Sequence, residues 1–275
     1  MLAATLCLAG VAAAGCSAQQ QARQHTAAGA ENRAGAPASG EKAGSGPHAR
    51  KGTPQLGIDP AQLSRATRGK SIMVVGDSWA EHLAQGMSVV VARHTTVVNA
   101  GLAGCGIRLP AGRKVHAECL AWPEKWPSYL AAFRPDATIL MVGYRDVEPQ
   151  RMKKREEPGS LASGTHRAAF AAHLKHAVDL LTSTGKPVYL MTSPRVSKPS
   201  LRNSALAMNQ VLRDIDRKRS KVGLLDVAGQ LCHHNTCPKR IDGISVYDRK
   251  GQLTPKARDR IATWSLNAVF GRDED

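Results

Sequence analysis

Five short, continuous apolar runs recur from residue 70 onward: 71–76 (SIMVVG), 95–99 (TTVVN), 137–143 (ATILMVG), 187–192 (PVYLMT) and 222–227 (VGLLDV). None alternates strictly between polar and apolar residues, so each reads as a strand buried on both faces. Amphipathic stretches of helical length separate them, at 79–92, 123–133, 165–182 and 201–219. A last one opens at Thr254, with Pro255 in its first turn, and ends near Phe270. Doubly buried strands separated by helices make a parallel sheet covered on two sides. The expected fold class is therefore α/β: a three-layer α/β/α, doubly wound, five-stranded parallel sheet. Such a sheet takes its ligand at the carboxyl ends of its strands. That rule singles out the loops 76–78, 101–106 and 143–146 and the segment before the last helix.

The first residues bear on location. Residues 2–11 are apolar and hold Cys7, and Ala12-Ala13-Ala14-Gly15-Cys16-Ser17 follows. Small residues closing an apolar run on a Cys look like a bacterial lipobox, in which Cys16 is lipidated after cleavage. Ala13 stands where Leu is usual, and no Lys or Arg precedes the run. The alternative is a plain secretory signal cut near Ala14 or Ala18. Both readings put the chain outside the cytoplasm, as a membrane-anchored lipoprotein or a secreted protein. The run is shorter than the roughly 20 residues a spanning helix needs. The expected organisation is a signal peptide with lipobox over 1–16, a linker over 17–69 and a folded domain over 70–275. The linker is rich in Ala, Gly, Gln, Ser and Pro, without periodicity and poor in large apolar residues.

The formal charge is +16. Seven Lys/Arg against three Asp/Glu fall in 17–69, which leaves +12 on the rest. Such a balance favours an anionic partner. No aromatic-interleaved basic motif or zinc-finger spacing accompanies it, so nucleic acid is not expected, and a wall polymer or membrane surface is. Setting Cys7 and Cys16 aside leaves Cys105, Cys119, Cys232 and Cys237, an even number suited to an oxidising compartment. Proximity favours Cys105–Cys119 and Cys232–Cys237, with the other pairings formally open.

Gly76-Asp77-Ser78-Trp79 leaves the first strand. Gly76 permits a sharp turn, Asp77 can fix it, and Ser78 then stands at the amino end of a helix, where N–H groups and the helix dipole face an oxyanion. On local sequence alone Ser78 reads equally well as a helix N-cap. Ala80 excludes the Gly-x-Ser-x-Gly elbow.

These residues resemble the first block of the SGNH/GDSL hydrolases, whose Ser is the nucleophile. Asn99-Ala100-Gly101-Leu102-Ala103-Gly104-Cys105 resembles the second block, which implies an oxyanion-hole N–H from Gly104. Gly143-Tyr144-Arg145-Asp146 takes the place of the third, Gly-x-Asn-Asp, with Arg145 at the Asn position as a candidate oxyanion donor. The texture is similar to extracellular SGNH domains fused to membrane O-acyltransferases, in which a Cys-bounded loop precedes a Tyr-Arg-Asp-x-x-His-Leu-Thr block. Here Cys232 and Cys237 precede Tyr247-Asp248-Arg249-Lys250-Gly251-Gln252-Leu253-Thr254.

In that register Gln252 stands at the family His position and Arg249 at the triad Asp, with Asp248 adjacent. A Ser hydroxyl needs a base within hydrogen-bond reach, and Gln cannot supply one. His233 and His234, inside the Cys232–Cys237 loop, are candidates for a relocated base. A zinc site there is disfavoured by the disulfide. His82, His166, His173 and His176 read as helix residues. Arg151, Lys153, Lys154 and Arg155 form a basic cluster, read first as a solvated loop and second as a phosphate contact. Trp122 and Trp126 read as packing before a sugar-binding face. The resemblance implies an ester hydrolase or O-acyl-transfer domain acting on acylated envelope glycans, without cofactor or metal and as a monomer. The alternative is an inactive SGNH-like protein that keeps the pocket and binds an acyl or glycan ligand.

Overall fold

The computed structural model describes residues 59–91, 93–108, 116–153, 157–194, 198–232, 237–249 and 252–271. Elements follow in the order α1 (Pro60–Thr67), β1 (Ser71–Gly76), α2 (Ser78–Val90), β2 (Thr96–Gly101), α3 (Ala117–Leu120), α4 (Trp122–Phe133), β3 (Ala137–Met141) and α5 (Tyr144–Val147). Then come α6 (Gly164–Leu181), β4 (Val188–Met191), α7 (Arg202–Asp216), β5 (Val222–Leu225), α8 (Val227–Leu231), β6 (Arg240–Ile241), β7 (Ile244–Ser245) and α9 (Pro255–Phe270). β1 to β5 form one parallel sheet in the order β2-β1-β3-β4-β5. This is the expected five-stranded, doubly wound sheet. Its order reverses between β1 and β3, which opens the crevice at their carboxyl ends.

β1 shows why its run has no alternation. Ile72 and Val74 pack among Leu63, Leu83, Met87, Ile261 and Leu266 on the α1, α2 and α9 side. Met73 and Val75 pack among Trp126, Leu130, Phe170, Leu174 and Met208 on the α4, α6 and α7 side. With two apolar layers to satisfy, each strand must be apolar throughout. Helix starts follow short polar side chains: Asp77 caps α2, Ser163 caps α6 and Thr254 caps α9 with Pro255 in its first turn. No helix among the described residues is long and apolar enough to cross a membrane.

The folded part begins earlier than the boundary expected at residue 70. α1 lies inside the stretch assigned to linker, with Leu63 only 2% exposed in the core it shares with α9. Asp59 accepts from the Ala61 N–H, and Pro60 is in the first turn. Eight residues with a single large apolar side chain are too short to show a helical period, so the stretch resembled its flanks. Cys16 and the remaining linker, 17–58, lie outside the described residues. Cys105–Cys119 and Cys232–Cys237 are disulfide-bonded, the pairing that proximity favours.

Candidate functional site

Gly76 ends β1 at a φ of +136°, a backbone region open to glycine. A Cβ there would lie 1.8 Å from the Met141 carbonyl oxygen of β3, so the chain turns here against its neighbour strand with no room for a side chain. Asp77 follows and takes the N-cap, its Oδ1 accepting from the Trp79 N–H at 2.9 Å. The N-cap reading of Ser78, which the sequence left level with the nucleophile reading, gives way to capping by Asp77. Ser78 becomes the first residue of α2, half-buried, and its hydroxyl makes no hydrogen bond among the described residues.

Asp77 is 1% exposed. Burial is the main cause that pushes its carboxyl up to about 7, with the nearby Asp146 adding to the shift. The N–H groups of Trp79, Ala80 and Tyr144 pull the other way. Oδ2 makes no hydrogen bond of its own and lies against Gly143, where a Cβ would come within 2.4 Å of it. The carboxyl beside Ser78 therefore keeps its proton to a much higher pH than an ordinary carboxylate.

The second loop is tied to the first by the Leu102 N–H, which donates to the Gly76 carbonyl at 2.9 Å. The Cys105 N–H donates to the Leu102 carbonyl, and Gly104, with φ +77°, occupies the third position of that turn. Gly104 is exposed at the tip. Beyond it, the Ile107 and Arg108 N–H groups donate to the Asp146 carboxylate at 3.3 and 3.0 Å. Arg108, 2% exposed, returns its guanidinium to the carbonyls of Asp146 and Glu148 at 3.1 and 3.2 Å. Burial pushes the Asp146 carboxyl up to about 6, against the pull of these N–H groups and of Arg108. Sequence reasoning placed no role on Arg108 and none on Asp146 beyond its block. Each reads alone as a surface charge, and only the sheet order brings the 101–108 loop against the end of β3.

Arg145, the candidate oxyanion donor, is ion-paired. Its Nη1 donates to Glu148 Oε2 at 3.0 Å, one turn along the same short helix, and its side chain is 43% exposed. The segment before α9 does reach the site. The Tyr247 ring packs on Trp79, with centroids 6.0 Å apart. Burial raises the Tyr247 phenol further, so it is no base. Asp248 and Gln252 close a small loop: the Gln252 N–H donates to Asp248 Oδ1 at 2.9 Å, and the Asp248 N–H donates to the Gln252 carbonyl at 2.8 Å. The Gln252 side-chain oxygen is buried without a hydrogen bond among the described residues. All four segments singled out by the strand-end rule thus converge around Ser78, yet no described imidazole hydrogen-bonds to it.

The other candidates separate. His233 and His234, Lys154 and Arg155 lie outside the described residues. His166 is buried, and its ring meets the Ser163 hydroxyl at 3.2 Å at the start of α6. His176 packs on Trp122, and the His173 imidazole is held below its usual range by burial first and by Arg108 and His176 second. Trp122 and Trp126 are each 5% exposed with ring centroids 4.8 Å apart, so they pack in the core, and both also line the cavity beside α4. A cavity of about 900 Å³ opens beside the site along the edge strand β2, between α2 and α4. Gly76, Gly101 and Leu102 are among its lining residues, and Ser78 is not.

A family model described as a protein of unknown function, DUF459, matches residues 71–238. No curated protein matches the chain. Among solved structures, an alpha/beta hydrolase enzyme from the metagenome of Lake Arreo, Spain, is similar at 15% identity, over 76% of this chain and 98% of that one, with a TM-score of 0.48. The periplasmic domain of a lipopolysaccharide acetyltransferase from Salmonella ser. Paratyphi A is similar at 13% identity over 81% and 90%, with a TM-score of 0.47. An acetylxylan esterase from Geobacillus stearothermophilus is similar at 14% identity over 74% and 95%, with a TM-score of 0.44.

Proposed function

The chain belongs to the DUF459 family of proteins of unknown function, and we propose that it is an SGNH-type ester-processing enzyme that uses Ser78 to hydrolyse or transfer O-acyl groups on cell-envelope glycans. One observation carries the reading. Asp77 relieves Ser78 of capping, which leaves an uncommitted hydroxyl in the first turn of a 13-residue helix at the point where the strand order reverses. Attack by Oγ on an acyl carbonyl would place the developing oxyanion before the first N–H groups of α2. Collapse of the intermediate would break the ester C–O bond, the leaving sugar oxygen taking up the proton that Ser78 gave to the base. The acyl group would then pass from Ser78 to water or to a second sugar hydroxyl, returning the serine. A neutral Asp77 suits this step, since an ionised carboxylate beside the oxyanion would oppose it. The proton of Ser78 needs an acceptor, and His233 or His234 in the Cys232–Cys237 ring is the candidate. The glycan and the export rest on the resemblance of the segment 247–254 and on residues 2–16.

A second reading is favoured by Gln252. In the register of the resemblance it stands at the family His position, and its side-chain oxygen is buried, while its N–H donates to Asp248 Oδ1. A protein so built keeps the pocket and binds an acyl or glycan ligand without turning it over. The two readings separate on p-nitrophenyl acetate. An active enzyme releases p-nitrophenol, and Ser78→Ala abolishes the release, whereas release that survives Ser78→Ala removes Ser78 as nucleophile. If the parent is inert, the Arg249→Asp/Gln252→His double variant should gain roughly 10²–10⁴-fold, the usual worth of a positioned base.

A further inference from the structure

We propose that the amino-terminal edge of the sheet, opposite Ser78, is a docking face for an anionic phospholipid bilayer. In a parallel sheet every strand begins on one edge, so the segments that enter the five strands form one surface. Here those segments are 68–70, 93–95, 134–136, 182–187 and 216–221. They carry nine Lys/Arg against two Asp: Arg68 and Lys70 before β1, Arg93 before β2, Arg134 before β3, Lys186 before β4 and four cations over 217–221 before β5. Arg68, Arg93, Arg134, Lys186, Lys218 and Lys221 are exposed. Lys186 pairs with Asp136 at 3.7 Å, Arg217 with Asp214 and Arg219 with Asp179. Among the described residues Arg68, Lys70, Arg93, Arg134, Lys218 and Lys221 make no ion pair.

The opposite edge is balanced. Among the described residues, the connections from β1 to α2, β2 to α4, β3 to α6, β4 to α7 and β5 to α9 hold eight Lys/Arg against eight Asp/Glu. Strands of four to six residues put about 13–20 Å between the two edges. That exceeds the screening length of about 8 Å at physiological salt, so each edge meets its surroundings with its own charge. An anionic plane attracts the first edge and leaves the Ser78 edge facing away from it. A bilayer is favoured over a soluble polyanion by shape and by connection. The cations are spread across five strand starts, about 20 Å, where a plane can meet them together. The segment that holds residues 2–16 joins the domain at Asp59, one eight-residue helix before Arg68 and Lys70 in the chain.

The test uses the full chain carrying Cys16→Ser, so that no acyl chain contributes, and vesicles of 30 mol% phosphatidylglycerol in phosphatidylcholine. Sedimentation should show binding to these vesicles and not to pure phosphatidylcholine. R93Q/K218Q/K221Q should weaken it on the order of 100-fold, about five-fold per cation. The matched triple R167Q/R202Q/K256Q removes cations at the amino ends of α6, α7 and α9 and should leave binding within about two-fold. Equal weakening by both triples, or no preference for phosphatidylglycerol, overturns the docking face. Tighter binding to soluble poly(glycerol phosphate) than to vesicles, lost in the first triple, overturns the bilayer as its occupant. All six positions are exposed, and unchanged circular dichroism confirms that each triple is folded. Ester hydrolysis plays no part in the readout, so the result stands apart from the role of Ser78.

Discussion

Gly76 is where one methyl group would do the most damage. Gly76→Ala would press Cβ into the Met141 carbonyl and hold a non-glycine residue at φ +136°. Steric overlap and strain act together, so the loss should be about 3 kcal/mol or more, read as a lowered urea midpoint. An unchanged midpoint would mean that β1 and β3 do not meet as closely as described. Asp77 sets a pH dependence. Its carboxyl and that of Asp146 bind protons more readily folded, at about 7 and about 6, than at the ordinary 3.8. Between about pH 4 and pH 7 the native state therefore holds more protons than the unfolded one, and stability falls as pH rises through that window. Asp77→Asn keeps an oxygen for the Trp79 N–H and cannot ionise. It should match the wild type near pH 4 and exceed it by a few kcal/mol at pH 8, in denaturant titrations at the two pH values. Parallel pH profiles would show that Asp77 is not the group responsible. Ser78, Gly104 and Gln252 were legible as positions because a motif marks each. The charge state of Asp77 was not, since burial by the β3 loop is a product of strand order.

At the scale of elements, legibility followed length and period. The five strands and the helices α2, α4, α6, α7 and α9 were visible because each repeats its apolar pattern long enough to fix a face. α1 was not, and neither was the β6–β7 hairpin. The hairpin turns on Asp242 and Gly243, both with positive φ, between Ile241 and Ile244. An Asp-Gly pair flanked by apolar residues is a strong hairpin signal, but two-residue strands are too short for alternation to register. Leu63 is the one large apolar side chain by which α1 packs on the domain, beside the buried Thr67. Leu63→Ala should cost about 2–3 kcal/mol, at the low end for a buried Leu because a surface helix can settle into the space. Hydrogen exchange should then show faster opening of α1 and α9, with the β3 and β4 amides slowed as before relative to global unfolding. A uniform acceleration across the sheet would place α1 within the cooperative core.

On the scale of the whole molecule, composition disclosed an excess of positive charge but not its address. Only topology sorts it, because a parallel sheet collects all strand starts on one side and all strand ends on the other. The same sorting gathers Gly76, Gly101 and Ser78 at one point, where the glycines answer to steric demands quite separate from chemistry. A Cβ at Gly101 would lie 2.3 Å from the Glu81 nitrogen of α2, and one at Gly76 would strike β3. Substitutions at these two positions would be purged in any lineage that still folds, whether or not a base remains to activate the serine. A search pattern written around them therefore gathers chains by how tightly their strand ends nest. Such a pattern reports how the loops at those ends pack, and the chemistry of each chain has to be measured separately.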